Sequence, residues 1–177
     1  EQTEVGVALE LLSKAGGLRQ LFDLRDLPES QQVVLQAVRE VGRRVLKQGM
    51  IGQNFVRSPQ AVTDYLTASL RDLKREVFKV IFLDKALKIL GEKDMFFGTV
   101  DEAAVHPREV VREALFQNAS SLVLVHNHPS GKVEPSREDY EITQKIKSAC
   151  QTVSIRILDH IIIGENQYFS FSERSQL

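Results

Sequence analysis

His126 and His128 stand two residues apart at the end of an apolar run, Ser121 to Val125. Side chains alternate along an extended strand, so both imidazoles project to the same side and one cation can reach both. Pro129-Ser130-Gly131 breaks the strand, and Pro135-Ser136 then opens a helix whose first turn carries Asp139. A carboxylate is thereby returned to the imidazole pair. Two neutral imidazoles and one carboxylate are the three-ligand set of a catalytic zinc, whose fourth tetrahedral position is left for water. Ser136-Arg-Glu-Asp139 also has the spacing of a helix N-terminal cap with an acidic residue in the first turn. The two readings are compatible, since Ser136 can cap the helix while Asp139 binds metal. Cys150 is the only cysteine, which excludes an intramolecular disulfide and a Cys-rich zinc module. It reads as a small buried hydrophobe.

The elements that position these residues belong to a chain of 177 residues, 42% hydrophobic and 27% charged, the balance of a globular protein with one good core and room for a small second domain. With 23 basic and 24 acidic residues the net charge is -1, so no global field draws the chain onto nucleic acid or an anionic membrane. Apolar stretches such as Leu122 to Val125 and Ile161 to Ile163 fall far short of the roughly 20 residues that span a bilayer. Glu1-Gln2-Thr3-Glu4 shows none of the marks of a secretory signal, and a cytoplasmic setting is the expectation.

Residues 1 to about 50 read as helical, with Val5, Leu9 and Leu12 on one face and Val34, Val38, Val41 and Val45 recurring at helical spacing up to Gly49. A linker is expected between Gly49 and Ser58, and Ser58-Pro59 starts a helix running to about Arg71. From Glu76 the signal changes to β: Val77 to Leu83, a turn at Asp84-Lys85, and a return strand Leu87 to Leu90. A third strand around Met95 to Val100, a helix from Pro107 to about Asn118, and the strand Ser121 to Val125 follow. A helix from Ser136 leads to the strands Ser154 to Ile163 and Tyr168 to Ser172, separated by Gly164-Glu165-Asn166. This order predicts an α+β domain, three-layered, with a mixed sheet flanked by helices and preceded by a small all-α unit.

His126-Asn-His-Pro-Ser-Gly131 followed by Pro135-Ser136-x-x-Asp139 resembles the RadC family of UPF0758-type proteins, whose C-terminal domain belongs to the JAMM (MPN+, JAB) metalloprotease superfamily. The similarity extends through Phe82-Leu83-Asp84, Phe97-Gly98-Thr99, His106-Pro-Arg-Glu109, Asn118-Ala119 and Asp159-His160-Ile-Ile-Ile-Gly164, over about residues 55 to 175. The resemblance implies a JAB/MPN-like, cytidine deaminase-like fold over residues 55–177. It implies one zinc per chain on His126, His128 and Asp139, with Ser136 hydrogen-bonding near the metal-bound water or the developing oxyanion. It also implies a glutamate on an early strand acting as general base, best matched by Glu76. Read alone, Glu76 would be a solvated strand end. A carboxylate beside zinc-activated water can take the proton as hydroxide attacks a carbonyl and pass it to the leaving amine, which makes the reaction amide or isopeptide hydrolysis.

His160, between Asp159 and an apolar run, reads as a satisfied core histidine or as a group supporting a ligand. His106 before Pro107 reads as a loop or capping residue. Residues 1–52 are expected to form a degenerate helix-hairpin-helix-like unit. Where members of the resembled family carry a phosphate-binding glycine turn, this chain has Asp26-Leu27-Pro28, and Pro28 has no N–H to donate. Residues 1 to 57 hold eight Lys/Arg and seven Asp/Glu, a net of +1. Arg39, Arg43 and Lys47 line one helix face, which reads as solvated more readily than as a nucleic-acid contact. The leading function is therefore a zinc metallohydrolase with a peptide or protein substrate and no membrane partner. The alternatives are a DNA-binding or DNA-repair accessory protein and a scaffold whose metal only stabilises the fold. Structural zinc sites normally have four protein ligands, which argues against the scaffold.

Overall fold

The computed structural model describes residues 28–98, 105–165 and 167–177. Val5, Leu9, Leu12, Asp26, Leu27, Thr99, Val100 and Asn166, which carry parts of the expectations above, lie outside the described residues. The chain divides into two units between Val45 and Leu46. The described part of the first is the body of helix α1 (Glu29–Met50), which has Glu29 in its first turn and Lys47 in its last, matching the helix dipole at both ends.

The second unit is an α+β domain built on one five-stranded mixed sheet. Its elements are α2 (Pro59–Leu70), β1 (Glu76–Leu83), β2 (Ile89–Gly98), α3 (Pro107–Phe116), β3 (Ser121–Asn127), α4 (Arg137–Thr152), β4 (Arg156–Ile163) and β5 (Tyr168–Ser170). The sheet order is β2-β1-β3-β4-β5, with β3 and β4 parallel across the α4 crossover and the other pairs antiparallel. No helix among the described residues is long and apolar enough to cross a membrane.

Alternation along the central strands explains the three layers. Val77, Ile81 and Leu83 of β1, with Val123 and Val125 of β3, face one side and pack on Val62, Tyr65, Leu66 and Leu70 of α2. Phe78, Val80 and Phe82, with Leu122 and Leu124, face the other side and pack on Val110 and Ala114 of α3 and on Ile146 and Cys150 of α4. Both faces are covered, so β3 is buried at every position and reads as a continuous apolar run rather than an alternating one.

Within the described residues, the two strands expected at Leu87 to Leu90 and Met95 to Val100 are replaced by one, β2 (Ile89–Gly98), paired with β1. Gly91-Glu-Lys-Asp94 looks like a break, but its carboxylates are held by the sheet. Lys79 points from β1 into the α2 face, almost wholly buried, and contacts Glu92 and, at 2.5 Å, Asp94. Lys47 Nζ and the Tyr65 hydroxyl reach Glu92 Oε1 at 2.6 and 2.7 Å. A register shift between Phe78 and Lys79 then lets the strand continue to Gly98.

Burial alone would push the Glu92 pKa up, but the Lys79 charge and the bonds from Lys47, Lys79 and Tyr65 prevail and hold it at about 2. The folded value lies below the ordinary 4.5, so this stabilisation is complete above pH 4.5 and disappears as pH falls through about 2. Acid unfolding followed by circular dichroism should therefore be steep over that window. Glu92→Gln should flatten it, and an unchanged slope would remove Glu92 from the acid response.

Candidate metal centre

His126 lies at the end of β3 on the face shared with α3 and α4, His128 follows just beyond the strand, and Asp139 enters the same space from the first turn of α4. All the donors come from one continuous strand, loop and helix. His126 Nε2 lies 3.0 Å from His128 Nε2 and 3.1 Å from Asp139 Oδ1, and His128 Nε2 lies 3.5 Å from Asp139 Oδ2. These three residues are the one His/Cys/Asp/Glu group among the described residues able to hold a metal ion.

Ser136 and Asp139 form a complete capping box. The Asp139 amide donates to Ser136 Oγ at 3.1 Å, and the Ser136 amide donates to Asp139 Oδ2 at 2.7 Å. The Ser136 hydroxyl donates to the same Oδ2, also at 2.7 Å. The cap fixes the carboxylate plane, so Asp139 serves the helix and faces the imidazoles at once. Burial works to raise the Asp139 pKa, but the adjoining His126 and His128 rings and the Ser136 hydroxyl hold it far below the carboxylate range. The Asp139 carboxylate raises His128 above its ordinary value against the effect of burial, with the Lys132 carbonyl and the Glu76 charge acting the same way.

The fit to a metal can be tested from the donors alone. His128 Nδ1 lies 3.0 Å from the Lys132 carbonyl oxygen, which can only accept, so Nδ1 carries the proton. In the neutral ring Nε2 is then a lone pair, aimed at Asp139 and at the Nε2 of His126. The separations of 3.0 Å between the two Nε2 atoms and 3.1 Å from His126 Nε2 to Asp139 Oδ1 are close to the roughly 3.3 Å edge of a tetrahedron with arms of about 2.0–2.1 Å. The residues fit a zinc-sized cation.

The loop between the ligands is held from outside. His128 N donates to Ile163 O at 3.0 Å, Gly131 N to His128 O at 2.9 Å, and Glu165 N to Gly131 O at 3.2 Å. Gly131 has φ +80°, the left-handed region that glycine enters without strain. At Gly164 a Cβ would lie 2.5 Å from both Gly131 O and Val133 Cγ1, so β4 and the ligand loop touch backbone to backbone.

Glu76 opens β1 half-buried, opposite Gly98 of β2 and two residues before Phe78, which pairs with His126. The same alternation that places Phe78 on the ligand face places Glu76 there too. Asn127, which the sequence reading passed over, secures it. Its buried side chain accepts from Val77 N at 2.8 Å and donates to Arg75 O at 3.1 Å, clamping β1 on both sides of Glu76. The available signal was a polar residue inside an otherwise apolar strand. His160 is fully buried, with Nε2 2.8 Å from His126 Nδ1, and burial pushes its pKa well below the histidine range. His106 occupies the N-cap position of α3 without a side-chain cap bond, edge-on to Phe96.

Residues 56–177 match the RadC-like JAB domain family. A UPF0758 protein of Thioalkalivibrio sulfidiphilus is 45% identical over 184 aligned positions, covering 99% of this chain and 82% of the relative. UPF0758 proteins of Nitrosococcus oceani and Vibrio vulnificus are 44% and 42% identical, covering 99% and 93% of this chain and 82% and 77% of theirs.

Proposed function

The chain belongs to the RadC family and carries its JAB domain, and from that premise we propose that it is a zinc-dependent metallohydrolase cleaving peptide or isopeptide bonds. The observation that supports the reading is the convergence of His126 Nε2, His128 Nε2 and the Asp139 carboxylate on one small space. His126, His128 and Asp139 are the residues that hold the ion, one per chain. When bound, zinc supplies a Lewis acid that polarises a carbonyl and lowers the pKa of a coordinated water to about 7.

The chain's own groups do the rest. Glu76, kept on the ligand face by the Asn127 clamp, takes the proton of the attacking water and returns it to the leaving amine. Ser136 orients Asp139 through the capping box, and its hydroxyl turns to the developing oxyanion during the reaction. Residues 55–177 form the hydrolase domain.

The test is a panel of peptides and Lys-linked isopeptides incubated with zinc-loaded and chelator-stripped protein, with new amino termini detected by mass spectrometry. Cleavage that vanishes on stripping and returns with zinc is the expected result. Cleavage that persists in the stripped protein would overturn the reading.

A further inference from the structure

A string of hydrogen bonds runs from the ring of His126 to the backbone of Asp139, and its last member fixes every proton along it. The Asp139 carbonyl can only accept, so the Thr143 hydroxyl, 2.5 Å away, donates to it. With that proton committed, Thr143 Oγ1 accepts from His160 Nδ1 at 2.6 Å. The ring neighbours of His160 are His126, Thr143, Phe78 and Phe171, none anionic, so the buried ring is neutral and has one N–H to give. His160 Nε2 is then a lone pair, and His126 Nδ1, 2.8 Å from it, must be the donor. In the neutral His126 ring what remains is a lone pair at Nε2, the atom facing Asp139 and His128.

The His160 ring is held for this task. Phe171 stacks on it at 4.9 Å, and Phe78 meets its edge at 5.7 Å. Its backbone N–H donates to Asp159 Oδ1 at 2.7 Å, its carbonyl accepts from Phe171 N at 3.0 Å, and Asp159 is itself braced by the Ser170 hydroxyl at 2.6 Å.

We propose that Thr143 and His160 are positioning residues for the metal: they fix the Nδ1–H tautomer of His126, present its Nε2 as a ligand, and couple that ligand through α4 to Asp139. This deepens the zinc reading above and rests on it. Partners of this kind on a ligating histidine are worth about 10- to 100-fold in metal affinity. Sequence spacing contains the device in part, because Thr143 lies one helical turn after Asp139.

The experiment uses the full chain at about pH 8 with nitrogen-resolved NMR of the histidine rings in the zinc-free state, followed by zinc titration against a chromophoric chelator. His126 should carry its proton on Nδ1. Thr143→Val should mix the two tautomers and weaken zinc binding by about 10- to 100-fold. Thr143→Ser, which keeps the hydroxyl, should do neither, and His160→Gln, which keeps an acceptor, should weaken binding less than His160→Phe. A wild-type His126 protonated on Nε2, or a Thr143→Val protein with unchanged tautomer and affinity, would overturn the proposal. If the tautomers behave as stated but the wild type binds no zinc, the metal reading fails while the proton order stands.

Discussion

The double variant His126→Ala/His128→Ala should lose its zinc entirely, while the wild type should keep about one ion per chain through exhaustive dialysis. Removing both imidazoles leaves Asp139 as the sole donor, and a lone carboxylate on a helix end does not retain a transition metal. The fold should survive the change. The ligands sit at one end of the sheet, and both apolar layers, Val62 to Leu70 on one side and Val110 to Cys150 on the other, are formed without them. Elemental analysis after dialysis reads the metal, and circular dichroism reads the fold. Stoichiometric zinc in the double variant would show that the ligands have been misassigned.

A comparison of Glu76→Gln with Asp139→Asn separates chemistry from binding. Glu76 is assigned to proton transfer, so Glu76→Gln should keep zinc and fold and lose hydrolysis by roughly 100- to 10,000-fold. Asp139→Asn replaces an anionic donor by a neutral one and disturbs the cap it shares with Ser136, so zinc occupancy and activity should fall together. Added zinc should partly restore both. If Glu76→Gln loses zinc as readily as Asp139→Asn, Glu76 is a ligand or a structural residue, and the proposed mechanism is wrong.

The convergence of His126, His128 and Asp139 was legible because each of its parts has a local signature. Alternation alone points His126 and His128 the same way, and the Ser136 to Asp139 spacing marks a helix start whose geometry also delivers a carboxylate. The central strands announced themselves by apolar composition. β2 did not, because its middle is polar and is stabilised by Lys79, a partner whose burial depends on tertiary packing. Asn127 and the Thr143 to His160 string were hidden for the same reason. Their roles are contacts to residues remote in sequence, Arg75 and Val77 in one case and His126 in the other, and no short-range pattern encodes those.

The backbone contact between Gly164 and Gly131 has a consequence for motion. The loop that carries His128 is bonded to the end of β4 and the turn after it through His128 N to Ile163 O and Glu165 N to Gly131 O, with Gly164 packed against Gly131 O and Val133 Cγ1 and no room for a side chain of its own. The loop cannot lift away while the end of β4 stays in place. The two therefore open as one cooperative unit, and the amides of His128 and Glu165 should exchange with deuterium at a shared rate set by loosening of β4 and β5. A site on a surface loop thus borrows its rigidity from the edge of the sheet, and whatever frays that edge also loosens the ligand.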